Sequence, residues 1–263
     1  MKKLILSLSI LLAAGVQMYS QEEYSEPSQK WLKYIHIETG FMYPAGNIKE
    51  NIAIRQNLSS YFVNQYSEGE IMSETSGINF GVKYEYFSPR FKTGIATGLR
   101  YTGYLTDISG YSSGNAEFFY LRYSTLGSDT KFARVKSLSE RHNFVTIPIE
   151  LRMVPVKIKD IGFFVKAGAE FTLLNFKKDT NIEFQDPAMN ASEDNILFQI
   201  SDQENTYYST LYGSVGMEYA LKSKTSLTFE VFLPSFVLSD NIFDLTDVSH
   251  IEGFKFSVLI PLN

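Results

Sequence analysis

The sequence predicts an all-β chain: an eight-stranded, antiparallel, up-and-down transmembrane β-barrel with four long outer loops and three short periplasmic turns. Three observations predict it. Eight segments alternate apolar and polar residues at period two, their connections alternate long and short, and an export leader precedes them. Outer-membrane barrels have this rhythm, with short turns on the periplasmic side and long loops outside.

The leader comes first. Lys2 and Lys3 precede an apolar run from Leu4 to Val16, and polar residues begin by Gln21. A cationic start followed by an apolar stretch too short to span a bilayer is a secretory signal, assigned here to residues 1–20. Residues 21–30 read as a periplasmic lead and 31–263 as the barrel domain. The candidate strands are 31–43, 74–87, 91–105, 141–153, 161–177, 207–220, 225–239 and 252–262. Each is long enough for the roughly 9–11 residues that cross a bilayer at a tilt. The long connections are 44–73, 106–140, 178–206 and 240–251; the short ones are 88–90, 154–160 and 221–224.

Period two is clearest in the second strand. Ile78, Phe80, Val82, Tyr84 and Tyr86 share one face, and Asn79, Gly81, Lys83 and Glu85 the other. The last strand repeats it, with Phe254, Phe256, Val258 and Ile260 opposed to Lys255, Ser257 and Leu259. Such alternation marks a strand with one apolar side, but fits a soluble calyx as well as a membrane barrel. The leader, the lack of cysteine and the loop rhythm select the membrane.

With that choice the less apolar parity points inward. It places Glu38, Lys83, Glu85, Arg100, Glu150, Arg152, Lys166, Glu170, Glu218, Glu230 and Lys255 in the lumen. A Lys or Arg facing lipid at the midplane would cost about 2–4 kcal/mol, so the inward assignment wins. Eight strands enclose a bore that side chains can fill, and charges of both signs crowded there should pair. Glycines 81, 94, 98, 168 and 216 share this face and leave room for long side chains. The expectation is a packed, salt-bridged plug.

Loss of Lys2 and Lys3 with the leader takes the net charge from −5 to −7. An acidic chain without a basic cluster is a poor partner for nucleic acid. The expected partners are outer-membrane lipid and lipopolysaccharide, with other envelope proteins as further candidates around a monomeric barrel.

The segment from Phe144 to Met153, containing Ile147-Pro148-Ile149-Glu150-Leu151-Arg152, is followed closely by Gly162–Phe171. This arrangement resembles the PorT-like outer-membrane β-barrel family of Bacteroidota. The resemblance covers the core from Trp31 to Asn263 and implies an accessory part in envelope machinery related to secretion or gliding. Pro148 lacks a ladder N–H, fits locally broken pairing, and by parity faces the lumen. One departure is the end, Ile260-Pro261-Leu262-Asn263, where outer-membrane barrels usually carry a terminal aromatic residue.

Nothing in the sequence assembles a catalytic, cofactor or metal site. Gly110–Gly114 matches the string G-x-S-x-G, but no strand-to-helix context surrounds it. Asp247, Ser249 and His250 lie together in a loop, and sequence adjacency is not how triads form. His36, His142 and His250 show no metal-ligand spacing, and His36 reads as a partner for a lumen carboxylate. The stretch 179–205 holds Asp179, Glu183, Asp186, Glu193, Asp194, Asp202 and Glu204 without Lys or Arg. It reads as a solvated acidic loop, with a bridging divalent cation as the alternative. In the second long loop, Phe118, Phe119, Tyr120, Arg122 and Tyr123 form a β-prone aromatic run. It would either extend the barrel as a hairpin or present a binding surface.

The expected role is therefore a non-enzymatic structural or accessory barrel. A surface-binding or adhesion protein acting through loops 106–140 and 178–206 is the alternative, and a small lipid-modifying enzyme is third.

Overall fold

The computed structural model describes residues 30–49, 52, 54–55, 70–111, 118–124, 130–200, 207–222, 224–239 and 242–262. The assigned leader 1–20 and lead 21–29 lie outside them, as do Ser112, Asp202 and Glu204. The described strands are β1 (Leu32–Ile48), β2 (Ile54–Arg55), β3 (Glu70–Ser88), β4 (Thr93–Tyr111), β5 (Phe119–Ser124), β6 (Thr130–Ile158), β7 (Ile161–Phe184), β8 (Ser209–Ala220), β9 (Ser226–Val237) and β10 (Thr246–Leu262).

Eight of these close a ring. The order is β1-β3-β4-β6-β7-β8-β9-β10, and β10 pairs back onto β1 from Lys33↔Leu262 to Ile48↔Thr246. All pairs in the ring are antiparallel, so the barrel is up-and-down as expected. Leu32 at the start of β1 and Leu262 at the end of β10 both lie at the rim that carries the three short turns.

The parity assignment holds. On β3, Ile78, Phe80 and Val82 are 56, 54 and 47% exposed, while Asn79, Gly81, Lys83 and Glu85 between them are buried. The same outward face carries Ile95 and Leu99, Ile149 and Leu151, Val215 and Met217, Phe256 and Ile260. Among the described residues, charged side chains such as Lys33 stand only at the edges of this belt. An apolar girdle around the whole circumference far exceeds the few hundred Å² that a soluble monomer exposes, and it encircles a charged interior. That is the surface of a membrane-spanning barrel.

Six of the ring strands are longer than the sequence indicates, while β8 and β9, expected over 207–220 and 225–239, are shorter. β6 has 29 residues and β7 has 24, against 12 each in β8 and β9. One wall therefore stands far above the membrane. β5 pairs with the outer end of β6 (Phe119↔Val135 to Ser124↔Thr130), and β2 adds a two-residue edge. The aromatic run is thus a strand of this outer hairpin.

The stretch 178–206, expected as a loop, is also largely built. β7 continues to Phe184, a 3₁₀ turn follows at Pro187–Ser192, and α1 spans Glu193–Ile200. The Asp186 carboxylate accepts from the Ala188 N–H at 3.0 Å to start the turn. Glu193 and Asp194 sit in the first turn of α1, where the helix dipole favours anions. Ile196 and Ile200, four residues apart, bury its inner face. They join Ile108, Phe119, Leu121, Val135, Leu138, Phe184 and Leu245 in an apolar core above the membrane.

At the opposite rim the expected turn 154–160 shrinks to Lys159 and Asp160. β6 runs on to Ile158, and Pro155 is absorbed at a register shift between Met153 and Val156. Pro148 faces inward, and the β4–β6 ladder omits its pairing, passing from Thr97↔Ile149 to Arg100↔Thr146 in unchanged register. Lys92, Lys159 and Lys224 adopt positive φ at the three turns, a conformation costing an L-residue about 1–2 kcal/mol.

Candidate functional site: the filled lumen and its cap

The lumen is layered. Nearest the short turns, Arg152 lies across the bore. Its Nε and Nη2 donate to the two oxygens of Glu85, each at 2.8 Å, and its Nη1 donates to Glu218 at 2.6 Å. A planar guanidinium suits such a two-pronged carboxylate contact. Phe87 and Phe164 flank it, with ring centroids 5.1 and 5.8 Å from Cζ. His36 Nε2 lies 2.8 Å from Glu85 Oε2, so the histidine partners a lumen carboxylate as expected.

Gly94 makes this layer possible. A Cβ there would lie 2.2 Å from Glu85 Oε1. Gly94→Val should therefore push Glu85 off Arg152. The expected loss is about 1–3 kcal/mol from overpacking, read as a lower urea midpoint for the barrel in lipid vesicles. An unchanged midpoint would show that the layer repacks freely.

The central layer is built on Arg100. It donates from Nε to Glu38 (2.7 Å), from Nη2 to Glu150 (2.8 Å) and from Nη1 to Glu170 (2.5 Å). Lys83 Nζ bridges Glu38 and Glu150 at 2.6 and 2.5 Å. Lys166 pairs with Glu230 and lies 3.3 Å from Glu150. Lys255 Nζ sits between Glu38 (3.4 Å) and Glu230 (3.3 Å), 4.6 Å from the Phe232 ring centroid. The Tyr212 hydroxyl donates to Glu150 at 2.6 Å. All eleven charges assigned to the lumen thus meet in two connected clusters; Lys83, Lys255, Glu38 and Glu85 are at most 1% exposed.

Above the charges lies an aromatic layer. Tyr104 and Tyr208 join hydroxyls at 3.2 Å, Phe144 stacks on Tyr208 at 5.1 Å, and Phe243 meets Tyr104 edge-on at 5.4 Å. Phe243 comes from a segment expected as an outer loop, which instead folds into the mouth. Ile242, Phe243, Asp244, Leu245 and Thr246 are all buried. Glu140 holds them: its two oxygens accept from the Asp244 N–H at 2.9 Å each, and Oε2 also accepts from the Leu245 N–H at 3.1 Å. Lys178 Nζ reaches Asp244 Oδ1 at 2.5 Å. Sequence reading missed Glu140, Lys178 and Asp244. The run Ile242-Phe243-Asp244-Leu245 was the available signal, too apolar for a segment bathed in water.

The aromatic run divides. Phe119 and Tyr123 turn inward and are buried, which removes them from any surface. Phe118, Tyr120 and Arg122 take the other parity. Tyr120 packs edge-on against Phe118 and Phe132, with Arg134 Cζ 5.2 Å from the Phe118 ring centroid. An aromatic face with interleaved arginines therefore points outward above the membrane.

The remaining candidates stay apart. Ser249 Oγ lies 2.9 Å from His250 Nδ1, but it also donates to the Ala45 carbonyl, and the nearest carboxylate, Glu252, is 3.6 Å from His250 Nε2. Asp247 takes no part. Ser249 borders an open cleft of 480 Å³ that Asn47, Val237 and Phe243 also line. His142 bonds Asn175 at 2.9 Å. Among the described residues, no three His, Asp or Glu side chains come together in a way that could hold a metal. Of the acidic stretch, Glu183 pairs with Lys136 at 2.8 Å, and Asp186 serves its turn.

No family model and no curated protein matches the chain. Several solved structures are similar in outline. The outer membrane protein OprG of Pseudomonas aeruginosa matches with a TM-score of 0.35 and 12% identity, over 87% of this chain and 93% of that one. Ail, the attachment invasion locus protein of Yersinia pestis, matches at 0.34 and 8%, over 89% and 99%. The transport unit of the autotransporter AIDA-I of Escherichia coli matches at 0.30 and 9%, over 93% and 96%. At these scores the likenesses carry no argument about role.

Proposed function

We propose that the protein is a non-enzymatic outer-membrane barrel serving as a structural or accessory component of envelope machinery, of the PorT-like kind that the Ile147–Arg152 segment resembles. One observation carries this reading: the lumen is occupied from the Arg152 layer to the Phe243 cap. A bore filled by mutually paired side chains offers a solute no path, and the described residues present no base–nucleophile pair enclosed with oxyanion donors. What remains for function is the barrel as a platform, with its rims and outer wall.

Deletion of the gene followed by comparison of secreted and surface proteomes tests the role. An accessory part should leave a defined set of exported proteins missing or misplaced; an unchanged surface would refute it. The membrane assignment has its own check. The mature chain should require detergent and show a heat-dependent shift on gels, and a chain that stayed soluble without detergent would sink it.

The outward face of Phe118, Tyr120, Arg122, Phe132 and Arg134 favours a second reading, adhesion or ligand capture at the cell surface. Tyrosine and arginine dominate binding hot spots. Under that reading, substituting Arg122 and Arg134 abolishes surface binding while leaving the exported proteome intact.

A further inference from the structure

The three short turns share one charge pattern. Each turn, counted with the strand end that enters it, has two cations two residues apart: Arg90 and Lys92, Lys157 (the last cation of β6) and Lys159, Lys222 and Lys224. In every turn the second of the pair is the residue with positive φ, at 49°, 54° and 65°. Glycine, asparagine or aspartate would take that backbone with less strain. A lysine there three times over points to its charge as the property the turn keeps. Among the described residues of these turns a single acid, Asp160, opposes them, and Glu85 and Glu218 in the nearest lumen layer are held by Arg152, although the whole chain has 29 acids against 24 bases.

Apolar side chains stand among these cations. Phe91 and Ile158, each between the two members of a pair, are 59 and 60% exposed and continue the lipid-facing belt into the turns. Lys33 shows how a cation lies here. It is on the outer face of β1, with Nζ 5.6 Å from the ring centroid of Tyr86, itself in the belt. Long basic side chains run along apolar surface in this way to bring their charge to the headgroups.

We propose that these paired cations form a ring at the periplasmic rim that binds the phosphates of anionic phospholipids in the facing membrane leaflet. Opposite charge, the apolar tips Phe91 and Ile158 inside two of the pairs and continuity with the belt all fit a lipid surface. An acidic periplasmic protein would answer the charge alone. The inference needs only that the chain spans a membrane, and it is independent of any part in export.

The test uses the mature barrel in phosphatidylcholine vesicles containing a trace of spin-labelled phosphatidylglycerol or spin-labelled phosphatidylcholine. Electron spin resonance then reads which lipid associates with the barrel perimeter. The wild type should prefer phosphatidylglycerol by at least about threefold, since each cation near the surface attracts anionic lipid, and 1 M salt should erase the preference. The variant R90Q/K92N/K157Q/K159N/K222Q/K224N, with asparagine at the positive-φ positions, should lose it while keeping its heat-dependent gel shift. R122Q/R134Q, on the outer hairpin, should keep it. If the sixfold variant does not fold, K157Q/K159N alone should lose part of the preference. No preference in the wild type, or one that survives neutralisation of the turns, overturns the proposal. A chain that never enters the vesicles fails the membrane assignment instead.

Discussion

Arg100→Met should destabilise the barrel more than any other single substitution in the lumen, by about 3–5 kcal/mol, because removing one partner of a buried pair strands the others. Arg100 is 2% exposed and serves three carboxylates from three different strands. Lys83 still reaches Glu38 and Glu150, but Glu170 keeps only its bond from the Thr146 hydroxyl. The measurement is the urea midpoint of the refolded barrel in lipid vesicles. Adding Glu170→Gln should recover part of the loss, as coupled residues do. Arg100→Lys should fall between, because an ammonium keeps the charge without the planar fork. A midpoint within about 0.5 kcal/mol of wild type, the range of an ordinary surface change, would mean the central layer does not hold the barrel.

Glu140→Ala should release the cap. It leaves the buried Asp244 and Leu245 N–H groups without their acceptor, at about 1–3 kcal/mol for each stranded group. The segment 242–245 should then open locally, and a protease specific for aromatic residues, added outside, should cut at Phe243 where the wild type resists. Glu140→Gln keeps one acceptor oxygen and should be cut more slowly. Planar-bilayer recordings supply the second reading. Neither wild type nor Glu140→Ala should pass a large steady current, because the Arg100 and Arg152 layers lie beneath the cap. Current from the variant alone would make the cap the seal. Current from the wild type would refute the filled lumen.

How much of this was legible in the sequence depends on height above the membrane. Within the bilayer, water and lipid impose one rule, apolar outward and charged inward, and Ile149 and Leu151 against Glu150 and Arg152 follow it. Period two alone then places every lumen charge. Above the bilayer the rule inverts. In the same strand, Ala133, Val135 and Leu138 face inward, while Phe132, Arg134 and Lys136 face out. Bulges at Val135/Ser137 and Asn143/Phe144 break the phase between the two regimes, so the upper strands read as polar loops. For that reason the sequence leaves Phe119 and Tyr123 open to a surface role beside the hairpin one. Their alternation with Tyr120 and Arg122, matched across the hairpin by Ala133 and Val135, was the signal that could have turned them inward. α1 was hidden differently: two isoleucines four residues apart are a thin stripe in an acidic stretch, and their burial depends on β5, more than 60 residues earlier in the chain, together with the upper end of β7.

The ring closes where β1 meets β10, and this seam bears on the order of assembly. Most neighbours in the ring join segments near in sequence, such as β6 and β7 across two residues. The seam joins the first and last strands of the ring, about 200 positions or more apart, so by loop-closure entropy it should form last. Until it does, Glu38 on β1 lacks Lys255 on β10, and Lys255 has only its β9 contacts, Glu230 and the Phe232 ring. A slip of one residue would turn Glu38 into lipid and bring Ile37 or Thr39 into the bore. The charges that fill the finished barrel therefore also act as a proofreading key, accepting only the register in which the last ladder zips.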